Sequence, residues 1–154
     1  MKFFLLSVCL LAATFSFSQD PFTSKDAKQV VDVFFEGLHK GDTLLMKSVM
    51  TNNIVMQTVY VNEEGENILN TDDIDGFIKA IGNRPANQKW EERLLDYQIV
   101  VDGNLAHVWT PYEFWFNDVF SHCGANSFTI AKLDDGWKII HLIDSRRKSS
   151  CKKE

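Results

Sequence analysis

The sequence lacks the short motifs of the commonest metal, nucleotide and hydrolase sites. It has only three cysteines in 154 residues and no paired-cysteine or His-x-Glu-x-x-His motif, which disfavours a zinc site. It also has no glycine-rich phosphate loop and no Gly-x-Ser-x-Gly elbow. We therefore expect neither a metal nor a nucleotide cofactor.

The sequence also lacks an excess of basic residues. Its net charge is −5, which gives no electrostatic basis for binding nucleic acid. The one basic cluster joins residues 146–148 with Lys152 and Lys153 near the C-terminus, and a solvated tail is its simplest interpretation.

The first 19 residues differ from the rest. Lys2 precedes an almost unbroken apolar run over residues 3–15, and small residues follow at Ser16 and Ser18. This pattern is typical of a secretory signal peptide; the apolar run is too short for a membrane anchor, and Cys9 lies inside it rather than at a lipidation site. We predict a signal peptide over 1–19, a single domain over 20–154, and a periplasmic or secreted protein without a membrane span.

Export would leave two cysteines, Cys123 and Cys151, in an oxidising compartment. Such a pair commonly forms a disulfide. Two independent thiols remain the alternative, because bridging requires a Cα separation that the sequence does not give.

Hydrophobic periodicity predicts three helices followed by long strands. Apolar residues recur at helical spacing over 24–40, 42–50 and 71–82, with a strand over 54–61 between the second and third helices. Strands follow over 90–101, 105–116, 120–133 and 137–145, separated by turn residues at 102–104, 117–118 and 134–136. This order predicts an α+β fold in which a curved antiparallel or mixed sheet wraps around three N-terminal helices as a cone with an internal cavity.

Three runs of sequence carry a family resemblance. Residues 105–114 read LAHVWTPYEF, residues 121–124 read SHCG, and the last strand opens with DGWKII at 135–140. Together with the order of elements, they resemble the nuclear transport factor 2-like superfamily, in its branch named SnoaL-like or putative lumazine-binding. The resemblance implies a pocket between helices and concave sheet, and a homodimer packed sheet to sheet. It implies no single chemistry, since such folds include both enzymes and binding proteins.

The hairpin at 117–118 predicts one candidate pair of polar residues. A tight turn there would place Glu113 opposite His122, and Trp109 opposite Asn126, on one face of the sheet. In that arrangement Glu113 would raise the pKa of His122 and orient it for proton transfer or ligand binding. The alternative is an ordinary cross-strand ion pair.

The last strand offers a second group. Asp144 and Arg146 alternate onto one face, and Tyr112 lies on the same face of an earlier strand if the registers hold. Arginine beside aspartate is suited to holding a planar polar ligand, although the pair is equally suited to stabilising a strand end or a dimer contact.

These patterns predict an exported protein that binds a small, partly aromatic ligand, and the resemblance implies that it forms a homodimer through its sheet. The predicted ligand-binding residues are Trp109, Tyr112, Glu113, His122, Asn126 and Arg146. One alternative is an isomerase, dehydratase or hydrolase that uses His122 with Glu113, or Asp144 as base. Another is a structural interaction module with a filled cavity.

Overall fold

A computed structural model describes residues 21–151 of the chain. The predicted signal peptide over 1–19 lies outside the described residues. Three helices cover one side of a seven-stranded sheet, and none of the helices in 21–151 is long and apolar enough to cross a membrane. The α+β prediction is correct.

The helices begin and end where local chemistry dictates. Helix α1 (Ser24–Lys40) starts at Thr23, whose side chain forms a reciprocal capping box with Asp26, and ends at Gly41 in the left-handed conformation. Helices α2 (Thr43–Ser48) and α3 (Ile74–Gly82) start at aspartates whose carboxylates accept backbone N–H groups. Thr23 is the N-cap of α1, since its hydroxyl accepts a hydrogen bond from the backbone N–H of Asp26 in the first turn.

The sheet is mixed rather than purely antiparallel. Its strand order is β2-β1-β7-β6-β5-β3, and β4 also pairs with β5. Strand β1 runs parallel to β7, and every other pairing is antiparallel. The strands are β1 Met50–Val61, β2 Asn67–Thr71, β3 Trp90–Leu94, β4 Gln98–Asp102, β5 Leu105–Phe116, β6 Val119–Leu133 and β7 Gly136–Arg147.

Two strands differ from the sequence-based prediction. The segment 90–101 is two strands, because its regular pairing with β5 is interrupted at 95–97, between Leu94 opposite Tyr112 and Gln98 opposite Trp109. Strand β2 was not predicted, since it is short and largely exposed and therefore lacks an apolar pattern.

The core lies between α1 and the inner face of the sheet. Phe34 and Phe35 of α1 make edge-on contacts with Phe128 of β6, each with ring centroids 5.9 Å apart. Along β5 the even-numbered residues Ala106, Val108, Thr110 and Tyr112 are buried, and the odd-numbered residues face outward. This alternation defines the inner and outer faces of the sheet.

Candidate functional site

A cavity of about 230 Å³ opens between the helices and the inner face of the sheet. Its apolar wall comes mainly from aromatic and aliphatic side chains of the helices and strands, including Phe34, Leu38, Phe77, Trp90, Phe114 and Leu142. Its polar wall comes from the strands and includes Thr58, Glu92, His122, Asn126, Asp144 and Arg146. The core therefore leaves space at this end of the sheet, and that space has one polar and one apolar side.

A β-bulge separates the two residues predicted to form an acid–base pair. Strands β5 and β6 pair Trp115 with Phe120 but Phe114 with His122, so Ser121 is an extra residue. Glu113 consequently lies opposite Cys123 and not opposite His122. The prediction of a Glu113–His122 pair is wrong, because one inserted residue turns His122 to the other face of the sheet.

The same shift in register changes the residue that lies opposite Trp109 on β6. Trp109 pairs with Ser127, while Asn126 lies opposite Thr110. Trp109 belongs to the outer face, where its side chain is 38% exposed. Glu113 also belongs to that face, and its carboxylate accepts a hydrogen bond from Trp115 Nε1. Neither Trp109 nor Glu113 lines the cavity, so neither lies where a ligand in the cavity would contact it.

Asp144 is the centre of the polar wall. It is buried, and its two carboxylate oxygens accept hydrogen bonds from Thr58 Oγ1 and Tyr112 Oη, both at 2.6 Å. Arg146 Nε lies 3.5 Å from the same carboxylate. Burial and the adjacent Asp144 raise the pKa of Tyr112, which keeps its hydroxyl protonated as a donor. Because both oxygens of Asp144 are engaged by protein donors, its arrangement suits positioning Tyr112 and Arg146 more than abstracting a proton.

Asn126 and Glu92 form the second polar contact. Asn126 Nδ2 donates to Glu92 Oε1 at 2.6 Å, and the amide is buried. Burial and the nearby Asp144 raise the pKa of Glu92 to about 8, against the opposing effects of Asn126 and Arg146. At neutral pH this side chain is therefore mostly a neutral carboxylic acid, able both to donate and to accept a hydrogen bond.

His122 is a neutral imidazole in this cavity. Burial and the positive charge of Arg146 lower its pKa to about 4, although Asp144 acts in the opposite direction. Its ring stacks on Phe114 with centroids 5.0 Å apart, and its Nδ1 lies 3.0 Å from Ser121 Oγ. The expectation that Glu113 would raise the pKa of His122 is wrong, since Glu113 lies on the opposite face.

Cys123 and Cys151 form a disulfide whose Cα atoms are 5.8 Å apart. Cys123 follows His122 in β6, so the bond attaches the end of the described chain to a strand that borders the cavity. Within residues 21–151, no group of three histidine, cysteine, aspartate or glutamate side chains is arranged to hold a metal ion.

Sequence reasoning missed Glu92 and Thr58. The signal for Glu92 is visible in β3, where Trp90, Glu92 and Leu94 alternate onto one face. A carboxylate between two large apolar residues of one strand face indicates a buried acid. Thr58 has no comparable signal, because its contact with Asp144 joins residues 86 positions apart in the sequence.

Comparisons with known proteins agree with this architecture. A family model described as "Putative lumazine-binding" matches residues 23–142. No curated protein matches the sequence significantly.

Several solved structures share the fold at low sequence identity. A nuclear transport factor 2-like superfamily protein from Salmonella enterica is 18% identical, with a TM-score of 0.60 over 84% of this chain and 95% of its own. A CaMKII hub from S. rosetta is 18% identical, with a TM-score of 0.61 over 82% and 99%. A protein described as a putative dehydratase of this superfamily, from Streptomyces avermitilis, is 16% identical, with a TM-score of 0.60 over 80% and 94%.

Proposed function

We propose that this chain, which belongs to the putative lumazine-binding family of the nuclear transport factor 2-like superfamily, is an exported protein that binds one small, flat ligand of the pteridine type. The observation that carries the proposal is the cavity between the helices and the inner face of the sheet. Its aromatic side suits a ring, and its polar side provides a few hydrogen-bonding groups that would fix the orientation of that ring.

The size of the cavity restricts the ligand. About 230 Å³ is below the roughly 300–1,000 Å³ of pockets that hold drug-sized molecules. A fused two-ring compound is therefore a better match than a nucleotide or a lipid. The open space also favours a binding protein over the alternative of a purely structural module.

The geometry favours binding over the acid–base alternatives. A pair formed by Glu113 and His122 would have to act across the sheet, since the two side chains are on opposite faces. Asp144 as a general base would have to give up a hydrogen bond to Thr58 or Tyr112. Removing one partner from such a buried group costs about 1–3 kcal/mol.

Ligand retention tests the proposed cavity. We expect native mass spectrometry of gently purified protein to show a bound pteridine-type compound. The His122→Ala and Asn126→Ala variants should retain about tenfold less of it, because each loses a polar or stacking contact. Trp109→Ala is the matched control: it also removes a ring, but from the outer face, and should retain as much ligand as the wild type. Equal retention by all four proteins would contradict the assignment of the site.

Export is part of the proposal, supported by the signal-like N-terminus and by the disulfide. In a bacterial host we expect the periplasmic fraction to contain a mature chain cleaved after Ser18 or Gln19. Its intact mass should be about two hydrogens lower before reduction than after, as one disulfide requires. A full-length chain in the cytoplasm, or two cysteines alkylated without reductant, would refute this part of the proposal.

We also propose a homodimer through the outer face of the sheet, where a second copy would cover exposed apolar side chains such as Val55, Val100 and Trp109. Light scattering after size exclusion should give the mass of a dimer for the wild type. Trp109→Glu should give a monomer, because it places a charge among the apolar side chains of that face. Leu44→Glu should remain dimeric, since Leu44 is equally apolar and more exposed but lies on α2. A monomeric wild type would refute the dimer.

A further inference from the structure

Glu92 occupies an unusual position in the cavity. It lies in the middle of β3, paired with Phe114 on the inner face, and its backbone N–H donates to His39 Nε2 at 2.9 Å. Its Oε1 accepts the hydrogen bond from Asn126, whereas Oε2 has no hydrogen-bond partner within residues 21–151. One oxygen is thus fixed by the protein, and the other is left for whatever fills the cavity.

The groups around Glu92 decide which oxygen carries a proton. The titratable or charged side chains beside it or along the same cavity come from three strands, one helix and one connecting segment: Asp144, Arg146, Tyr112, His122, His39 and Asp72. Burial and Asp144 together keep the carboxyl of Glu92 protonated at neutral pH. Because Asn126 donates to Oε1, that oxygen is the acceptor and the proton resides on Oε2.

We propose that Glu92 determines the specificity of the site by donating a hydrogen bond from Oε2–H to an uncharged acceptor on the ligand, either a ring nitrogen or a carbonyl oxygen. This rests on the proposed function and names the polar feature that the ligand must carry. Trp90, Phe114 and His122 present rings beside this donor, so the acceptor belongs to a flat heteroaromatic system. The alternative to an uncharged ligand is a cationic one, which would bind between the carboxylate form of Glu92 and Asp144.

The two ligand classes predict opposite dependence on pH. An uncharged acceptor requires the protonated acid and binds more weakly as Glu92 ionises, whereas a cation binds more tightly. The other groups nearby do not obscure this between pH 7 and 9. In that range His122 stays neutral, Arg146 stays charged and Tyr112 keeps its proton.

The test uses 1,3-dimethyllumazine, a flat pteridine with carbonyl and ring-nitrogen acceptors and no dissociable N–H. Calorimetric or fluorescence titration of the wild type should give a Kd about tenfold weaker at pH 9 than at pH 7, as expected when a group with a pKa of about 8 must be protonated. Glu92→Gln keeps a donor and an acceptor but does not ionise, so its Kd should stay constant over this range. Trp109→Ala, altered on the outer face, should reproduce the wild-type profile.

Two results would overturn the inference in different ways. Wild-type binding that is unchanged or stronger at pH 9 would refute the role of Glu92 as donor and leave the cavity as a binding site. No binding of the probe at pH 7 or 9, with a folded protein by circular dichroism, would refute the pteridine class of ligand and the inference with it.

Discussion

The Gly124→Ala variant is expected to lose at least about 3 kcal/mol of unfolding free energy and to accumulate poorly as folded protein. A Cβ at position 124 would overlap the backbone carbonyl of Ser145 on β7 and would lie 2.7 Å from Tyr112 Cε1. Neither neighbour has room to move. The carbonyl belongs to the sheet, and Tyr112 is 1% exposed with its hydroxyl bonded to Asp144. Glycine here lets the tyrosine ring lie across β6 and reach the carboxylate.

Urea unfolding followed by circular dichroism measures this loss. Gly82→Ala is the matched control, because the new methyl would meet only Thr43 Cγ2 at 3.3 Å in a helix. Its unfolding free energy should stay within about 1 kcal/mol of the wild type, since alanine is also the better helix former. A Gly124→Ala protein that unfolds at the wild-type urea concentration would show that β6 and β7 can separate locally at little cost.

Local chemistry explains why the order of elements could be predicted from the sequence. The turn at Asn117 and Asp118 has positive φ at both residues, a conformation that asparagine and aspartate tolerate better than most residues. The three helices begin at threonine or aspartate caps beside an apolar periodicity. Such features act over a few residues and are therefore visible in the sequence alone.

The site could be predicted only in part, because it depends on non-local geometry. The alternation in β5 correctly separates Trp109 and Glu113 from Tyr112, but it does not say which set faces the helices. The bulge at Ser121 then places His122 on the inner face. No residue type in that segment indicates that a bulge is present. The parallel pairing of β1 with β7 likewise brings Thr58 to Asp144 only after the whole chain has folded.

The wild-type protein is expected to lose stability as the pH rises from 6.5 to 9, and Glu92→Gln to remove that loss. Glu92 has a pKa of about 8 in the folded chain against 4.5 as an ordinary glutamate, so the folded state binds the proton more tightly. The stability linked to this proton is fully present below pH 4.5 and is lost as the pH passes through about 8. At 1.36 kcal/mol per pKa unit, the shift corresponds to a loss of up to about 4 kcal/mol between pH 5 and pH 9.

Subtracting the two unfolding curves isolates this effect from that of His122, which has the opposite sign. The pKa of His122 is about 4 in the folded chain against 6.5, so its linked stability is present above pH 6.5 and is lost as the pH falls through about 4. Wild type and Glu92→Gln both keep His122, so its contribution cancels in the difference between their unfolding free energies. The difference in unfolding free energy between Glu92→Gln and wild type, measured by urea titration at half-unit steps of pH, should increase steadily from pH 5 to pH 9. A constant difference over that range would mean that Glu92 is already ionised in the folded protein, and the carboxylic acid donor on which ligand recognition depends would not exist.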